Sequence, residues 1–75
     1  MNEQQINEQE QYKCKSTLLS APFIGRVCKK YQHTCIVEGQ RYAPKDRQTG
    51  FEYQDRFVVR YEEMAELSSE KGKGN

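Results

Sequence analysis

The stretch that most constrains the fold is residues 23–38, FIGRVCKKYQHTCIVE, which has the pattern of two β-strands joined at a short polar turn. Alternate residues from Phe23 to Tyr31 fall on one side of an extended chain, and residues 35–37 form an apolar run typical of a buried strand. Gly25 predicts a bulge or a close approach of two backbones. The stretch therefore predicts a hairpin to which the rest of the chain adds further strands.

Short strands separated by turns are also predicted on both sides of the hairpin. Residues 12–20 begin with a weakly alternating strand, which Pro22 interrupts. The segments after the hairpin are a strand start at 40–43, a polar loop at 44–50, and closing strands at 51–54 and 57–61. Residues 62–67 favour either one turn of helix or an irregular edge segment. Four to six short antiparallel strands without a long helix indicate a mainly β fold, a small closed or half-closed barrel.

A chain of 75 residues holds at most one domain. Residues 1–11 contain three acids and no base, and we expect a disordered acidic tail there. Residues 68–75 combine Ser, Gly and charge without periodicity, which predicts a flexible carboxy-terminal tail. The β-barrel domain is therefore expected at residues 12–67, where ten Lys and Arg stand against seven acids. An acidic tail beside a mildly basic domain would compete with a polyanion for the basic surface.

Membrane association and secretion are not expected. No apolar run approaches the roughly 18 residues of a membrane helix, and the amino terminus lacks the apolar centre of a signal peptide. The three cysteines are an odd number, which argues against a complete disulfide framework and suits a reducing compartment. The sequence therefore predicts a soluble, cytoplasmic protein.

Cys28, His33 and Cys35 are the weak candidates for a metal site. On a hairpin, His33 and Cys35 would share a face and Cys28 would lie on the neighbouring strand, but the close ligand pairs of structural zinc sites are absent. Small core residues are the simpler interpretation of the cysteines, and a solvated turn residue that of His33. With no nucleophile and base in a recognisable arrangement and no phosphate-binding loop, we expect no metal, no cofactor, no small-molecule substrate and no enzymatic activity.

Basic residues interleaved with aromatic rings form the remaining candidate site. Single-stranded nucleic acid binding requires cations that follow the phosphates and rings on which bases stack. The predicted binding residues are Arg26, Lys29, Lys30, Tyr31, Arg41, Tyr42, Lys45 and Arg47, with Arg56 and Arg60 as further cations. The alternative is that the aromatic rings build the core. For any one ring the core is favoured, because tryptophan is absent and large aliphatic residues are few.

The hairpin also resembles a known family. Residues 25–38, GRVCKKYQHTCIVE, are similar to the G-x-V-x-K-x-Y-x-x-(S/T)-x-I-V-(D/E) hairpin of small bacterial SH3-like barrels of KOW type. Residues 55–61, DRFVVRY, resemble the closing segment of an uncharacterised KOW-like family from Gram-positive bacteria. The stretch 39–53 is longer than the usual connection in that family. The resemblance implies an SH3-like barrel that contacts RNA or protein in the transcription and translation machinery.

Two functions are carried forward from these observations. The first is a non-catalytic binding module that acts on the gene-expression machinery through single-stranded nucleic acid or a protein of that machinery. The second is a small inhibitor or adaptor, of host or phage origin, that binds a host protein such as RNA polymerase. The mild charge balance slightly favours a protein partner over free nucleic acid.

Overall fold

The computed structural model describes residues 1–67 and shows one antiparallel sheet. Its five strands are β1 (Gln11–Cys14), β2 (Phe23–Lys30), β3 (Thr34–Arg41), β4 (Arg56–Arg60) and β5 (Met64–Ala65). The helical elements are one α-helix, α1 (Arg47–Glu52), and three short 3-10 helices at Glu3–Gln5, Pro44–Asp46 and Tyr61–Glu63. The predicted tail at 68–75 lies outside the described residues. None of the helices within residues 1–67 has the length and apolar character that crossing a membrane requires.

The strands lie in the order β4-β3-β2-β1-β5, so the predicted hairpin of β2 and β3 is the centre of the sheet. The mainly β prediction is confirmed, whereas the fully closed form of the barrel is not found, because β4 and β5 are not hydrogen-bonded to each other in this order. The predicted irregularity at Gly25 is confirmed as a register shift between Ile24 and Gly25. A Cβ atom at Gly25 would lie 3.0 Å from Val37 Cγ2, so this position is a close approach between strands.

Three segments after the hairpin differ from the predictions. The polar loop expected at 44–50 is helical, with a 3-10 helix at Pro44–Asp46 followed by α1, because proline is also favoured at the start of a helix. The strand expected at 51–54 is instead the end of α1 and the turn that follows it, because the four alternating residues fit a helical turn as well as a strand. The segment at 62–67 is neither a turn of α-helix nor irregular throughout. A 3-10 helix covers Tyr61–Glu63, and Met64–Ala65 then pairs with Lys13 and Cys14 of β1.

The hydrophobic core is formed by the inward side chains of all five strands and by residues from three connecting segments. Strict alternation in β1 and β4 buries every second residue, as the period of a strand requires. The buried members are Ile6, Tyr12, Cys14, Leu19, Phe23, Val27, Cys35, Val37, Phe57, Val59, Tyr61 and Met64. The rings of Phe23 and Phe57 lie 5.2 Å apart at the centre of this cluster.

The amino-terminal residues, predicted as a disordered tail, pack against the sheet in the structure. Ile6 is completely buried, and the terminal amine of Met1 donates to the carbonyl oxygens of Tyr61 at 3.2 Å and Met64 at 3.4 Å. The segment enters β1 through two backbone hydrogen bonds, in which the Gln9 N–H donates to the Val27 carbonyl at 2.7 Å and the Val27 N–H donates to the Glu10 carbonyl at 3.0 Å. The segment is polar on average, but it contains one aliphatic side chain, Ile6, that completes the core. The burial of this side chain is the physical reason that the segment packs against the sheet.

A bulge in β2 reverses the direction of its last residues. Val27 pairs with Val37, Lys29 with Ile36 and Lys30 with Cys35, so Cys28 is the extra residue. Because Lys30 now lies opposite the buried Cys35, its side chain follows the inner side of the sheet, while Lys29 lies outside. Regular alternation from Val27 would place Lys29 on the inner side and Lys30 outside, so the bulge exchanges the sides of the two lysines.

The buried carboxylate of Asp46 holds the loop that precedes β2. It accepts the backbone N–H groups of Ser20 at 2.9 Å and Ala21 at 3.1 Å, and its residue is only 2% exposed. The Ser20 N–H hydrogen bond is the main reason that the pKa of Asp46 is lowered below its usual value, against the opposing effect of burial. The contact connects the loop at 16–22 to the 3-10 helix Pro44–Asp46.

Replacement of Ile6 tests whether the amino-terminal segment belongs to the core. We expect Ile6→Ala to lower the free energy of unfolding by about 2–4 kcal/mol, since it removes a fully buried aliphatic side chain. Gln4→Ala, an exposed change in the same segment, is the control and should have little effect. Urea denaturation of both variants measures the difference. Equal stability of the two variants would show that the segment does not pack as described.

The carboxylate of Asp46 predicts a defined acid dependence of stability. Because its pKa is lowered in the fold, the ionised form stabilises the protein above the ordinary Asp pKa of about 3.9, and this contribution is lost as the pH falls below that value. Asp46→Asn should therefore have a lower melting temperature than the wild type at pH 7, with the gap narrowing towards pH 3. Glu52→Gln, at an exposed residue, is the control. A gap that does not change with pH would contradict the assignment.

Candidate functional site

The outward side chains of β2, β3 and β4 form one continuous surface, which we call the basic face. Residues opposite each other in the register share a side of the sheet, and the buried row Val27, Val37 and Phe57 identifies the inner side. The alternate residues therefore point outward. The basic face consists of Ile24, Arg26, Lys29, Thr34, Ile36, Glu38, Arg41, Arg56, Val58 and Arg60.

Positive charge dominates this surface. Its five cations are Arg26, Lys29, Arg41, Arg56 and Arg60, and its one carboxylate is Glu38. Glu38 lies in the register between Arg26 and Arg56, so it lowers the local charge at the middle of the sheet without cancelling it. Arg60 Nη1 contacts Glu62 Oε2 at 3.2 Å, an exposed ion pair that water screens strongly. The remaining cations provide an extended positive field over three strands.

An aliphatic strip runs across the centre of the basic face. Ile36 of β3 is half-buried between Lys29 of β2 and Val58 of β4, and Val58 is 66% exposed. A branched aliphatic residue this exposed in the middle of a strand contributes nothing to the core of the protein. The strip therefore offers a small apolar contact within a cationic surface.

Tyr31 stands at the hairpin end of the basic face. Its ring is 46% exposed, and Lys29 Nζ lies 6.0 Å from the ring centroid. The buried Tyr61 fixes the backbone here, because its hydroxyl donates to the Tyr31 carbonyl at 2.5 Å and accepts the Tyr31 N–H at 3.1 Å. Burial raises the pKa of Tyr61 above its usual value, which keeps the donating hydroxyl protonated. Tyr31 is therefore an exposed ring on a rigid support.

Lys30, which the sequence predicts as a binding residue, lies away from the basic face. Its Nζ donates to the carbonyl oxygens of Ile6 at 2.6 Å and Glu3 at 2.9 Å, and contacts Glu3 Oε2 at 3.1 Å. Its backbone N–H donates to Glu8 Oε2 at 3.2 Å. The reason is the bulge at Cys28, which turns Lys30 toward the amino-terminal segment. Two acids of the predicted tail thus engage this one lysine.

Tyr42 is a structural residue as well as part of the predicted site. Its ring packs with Phe23 at a centroid distance of 5.8 Å and with Phe57 at 6.2 Å. Its hydroxyl donates to Asp55 Oδ1 at 2.6 Å. Burial first, and then the hydrogen bond and the charge of Asp55, raise the pKa of Tyr42 well above its usual value. The phenol therefore remains a hydrogen-bond donor at neutral pH and cannot stack freely on a base.

Two glycines allow the Tyr42 hydroxyl to reach Asp55. A Cβ atom at Gly39 would lie 2.0 Å from the Tyr42 hydroxyl oxygen, and one at Gly50 would lie 2.6 Å from Tyr42 Cζ. Asp55 is further fixed by its backbone, since its N–H donates to the Gly50 carbonyl at 2.8 Å and its carbonyl accepts the Gly39 N–H at 2.7 Å. This cluster, Gly39, Tyr42, Gly50 and Asp55, attaches α1 to the end of the sheet.

Beside this cluster a groove of about 550 Å³ brings predicted and unpredicted residues together. Its lining residues are Gln40, Arg41, Tyr42, Arg47, Phe51 and Asp55. Three of them, Arg41, Tyr42 and Arg47, belong to the predicted site, whereas the predicted Lys45 is exposed on the 3-10 helix Pro44–Asp46 and does not line the groove. We call this feature the α1 groove.

Phe51 lies on the surface, contrary to the prediction. Phe51 is 77% exposed, although the core was the favoured place for each aromatic ring. Tyr53, at 45% exposure, also differs from that expectation, whereas Phe57 and Tyr61 are buried in agreement with it. Interpreting residues 47–52 as a helix would have predicted the exposure of Phe51, since a helix with Gly50 on its packed side turns the neighbouring Phe51 away from that side.

The three weak metal candidates do not meet. Cys35 points into the core, where its Sγ lies 3.6 Å from Met64 Sδ, while Cys28 is the bulge residue and His33 is exposed at the turn. Within residues 1–67, His, Cys, Asp and Glu side chains form no group of three that would hold a metal ion. Burial raises the pKa of Cys14 to about 12 and that of Cys35 to about 11, so both thiols remain protonated at neutral pH.

Comparison with models of protein families, with curated proteins and with solved structures gives no match for this chain. The resemblance of residues 25–38 and 55–61 to KOW-type barrels therefore stays a prediction.

Gly50→Ala tests the contact on which the α1 groove depends. In an ordinary helix this change stabilises by about 1 kcal/mol, and the Gly50 backbone has no positive φ that would oppose it. We expect the opposite sign, a loss of about 1–3 kcal/mol, because the new methyl group would overlap the packed Tyr42 ring. Gln48→Ala in the same helix is the control. Chemical denaturation measures both, and a stabilised Gly50→Ala variant would contradict the packing.

Proposed function

We propose that this protein is a non-catalytic binding module of the gene-expression machinery that binds single-stranded nucleic acid on its basic face. The observation that carries this proposal is the excess of five cations over one carboxylate on the outward side of β2, β3 and β4. The excess on this single surface is larger than that of the whole domain, in which ten Lys and Arg stand against seven acids. Charge is therefore concentrated where the sheet faces solvent.

The geometry of a sheet suits a flexible polyanion. Outward residues recur about every 7 Å along a strand, and neighbouring strands lie about 4.8 Å apart, so the cations form a two-dimensional array rather than a single point. A single strand can adjust its backbone to such an array, which a rigid duplex cannot. Tyr31 at one end and Phe51 near the other supply exposed rings for stacking.

The fold supports the wider assignment to SH3-like barrels as part of the same proposal. The fifth strand returns beside the first, and a 3-10 helix at Tyr61–Glu63 joins β4 to β5. The three free cysteines suit a cytoplasmic protein, and we include that location in the proposal.

The aliphatic strip favours a second candidate function, docking on a protein of the same machinery. Ile36 and Val58 give the basic face an apolar centre surrounded by arginines, a composition that also occurs at protein interfaces. An acidic protein surface with a small apolar centre would complement it. An adaptor, or a phage-encoded inhibitor of a host protein such as RNA polymerase, would act in this way.

A salt titration with a labelled single-stranded oligonucleotide tests the first function. Four phosphate contacts predict that log K falls with log salt concentration with a slope of about −3, since each contact on a single strand contributes about −0.7. The double variant Arg26→Gln and Arg56→Gln should reduce this slope by about 1.4. Fluorescence anisotropy at five salt concentrations measures the slopes.

Lys45→Glu is the matched control, because it changes the net charge by the same two units at an exposed site outside the basic face. It should leave the slope close to that of the wild type. The absence of oligonucleotide binding at low salt would reject the nucleic-acid function. Capture of a protein from lysate that resists nuclease and is lost in Val58→Asp would instead favour the docking function.

A further inference from the structure

The α1 groove combines the two chemical features that a single nucleotide needs. Phe51 presents an aromatic ring with 77% of the residue exposed, and Arg41 and Arg47 line the same groove. Stacking on an exposed ring is tolerant of base identity, while arginine binds phosphate through paired N–H donors.

The orientation of Phe51 is fixed by the fold. Gly50 is the only buried residue of α1, and its contact with the Tyr42 ring is so close that the helix packs on the sheet through its backbone. The side chain of the next residue, Phe51, consequently leaves the packed side. The backbone hydrogen bond from Asp55 N–H to the Gly50 carbonyl, at 2.8 Å, holds the helix in this position.

The groove is also continuous with the basic face. Arg41 is the last residue of β3 and pairs with Ile24 on the outward side of the sheet, so it belongs to both surfaces. A strand of nucleic acid that follows the arginines of β2 and β4 reaches Arg41 at the end of the sheet. The next cation in the groove is Arg47, at the start of α1.

We propose that the α1 groove is a nucleotide subsite, in which one base of a single strand stacks on Phe51 and its phosphate contacts Arg41 and Arg47. This inference rests on the proposed nucleic-acid function, which it refines by assigning the base and the phosphate of one nucleotide to the α1 groove. The one carboxylate in the groove, Asp55, already accepts the Tyr42 hydroxyl at 2.6 Å. The two arginines therefore exceed it in charge.

The chain contains no tryptophan, so Phe51→Trp places a single fluorescent reporter at the subsite. Octamers of dT and of U, and an abasic octamer with the same number of phosphates, are added at low salt. We expect both base-containing octamers to quench the fluorescence and the abasic octamer to leave it nearly unchanged, because only a stacked base contacts the indole. A response to one octamer alone would assign the subsite to DNA or to RNA.

Leu18→Trp is the matched control reporter, at an exposed apolar residue, 49% accessible, that does not line the groove. Its fluorescence should not respond to the octamers. In the anisotropy assay, Phe51→Ala should weaken binding of the base-containing octamers by about 5- to 150-fold, the range that corresponds to loss of one base–aromatic stack. Arg47→Gln should weaken the binding of the abasic and the base-containing octamers by equal factors, because Arg47 contacts the phosphate that all of them have.

The possible failures are distinguishable. Octamer binding by the wild type, together with a silent Phe51→Trp reporter and a Phe51→Ala variant of wild-type affinity, overturns the subsite and leaves the proposed function standing. No octamer binding by the wild type overturns both. Quenching by a short peptide of alternating Asp and Phe, without quenching by any octamer, overturns the subsite in favour of an acidic protein ligand.

Discussion

The hydrogen bond between the Tyr42 hydroxyl and the Asp55 carboxylate is the interaction on which the arrangement of the candidate site depends. It joins the end of β3 to the start of β4 across the connection that carries α1. Its geometry is possible only because Gly39 and Gly50 have no side chains where the phenol passes. Burial and the neighbouring carboxylate keep the phenol protonated, so the bond persists over the physiological pH range. Together with the backbone hydrogen bonds of Asp55 to Gly39 and Gly50, it holds Arg47 and Phe51 beside Arg41.

The hydroxyl of the buried Tyr61 fixes the backbone at the other end of the sheet. Tyr61 donates to the Tyr31 carbonyl and accepts its N–H, which supports the exposed ring of Tyr31. Between these two ends, the bulge at Cys28 sends Lys30 inward to hold the amino-terminal segment and leaves Lys29 outside. The basic face therefore depends on the register of the strands, since its cations lie on the side of the sheet away from the buried residues. The hydrogen bonds of the Tyr42 and Tyr61 hydroxyls position the two ends of the basic face, and the bulge at Cys28 places Lys29 on it.

The sequence predicted the central hairpin well because its alternation extends over many residues and includes a glycine at a true close approach. An extra residue in a strand leaves no compositional signal, so the sequence does not predict the bulge at Cys28, nor that Lys30 rather than Lys29 lies on the inner side. The polar composition of the amino-terminal segment predicts disorder, whereas the burial of a single side chain, Ile6, holds the segment against the sheet. Residues 51–54 alternate over a length too short to separate a strand from a helical turn, so Phe51 was favoured for the core. In each case a contact distant in sequence overrode the local pattern.

We propose that nucleic acid binds to the outward side of the sheet and extends into the α1 groove. Mapping of backbone amide chemical shifts by NMR, during titration with a single-stranded octamer, tests this binding site residue by residue. We expect the largest changes on Arg26, Lys29, Arg41, Arg56 and residues 47–51, and little change in the amino-terminal segment around Ile6. Changes confined to the amino-terminal segment, or absent from β2 and β4, would contradict it.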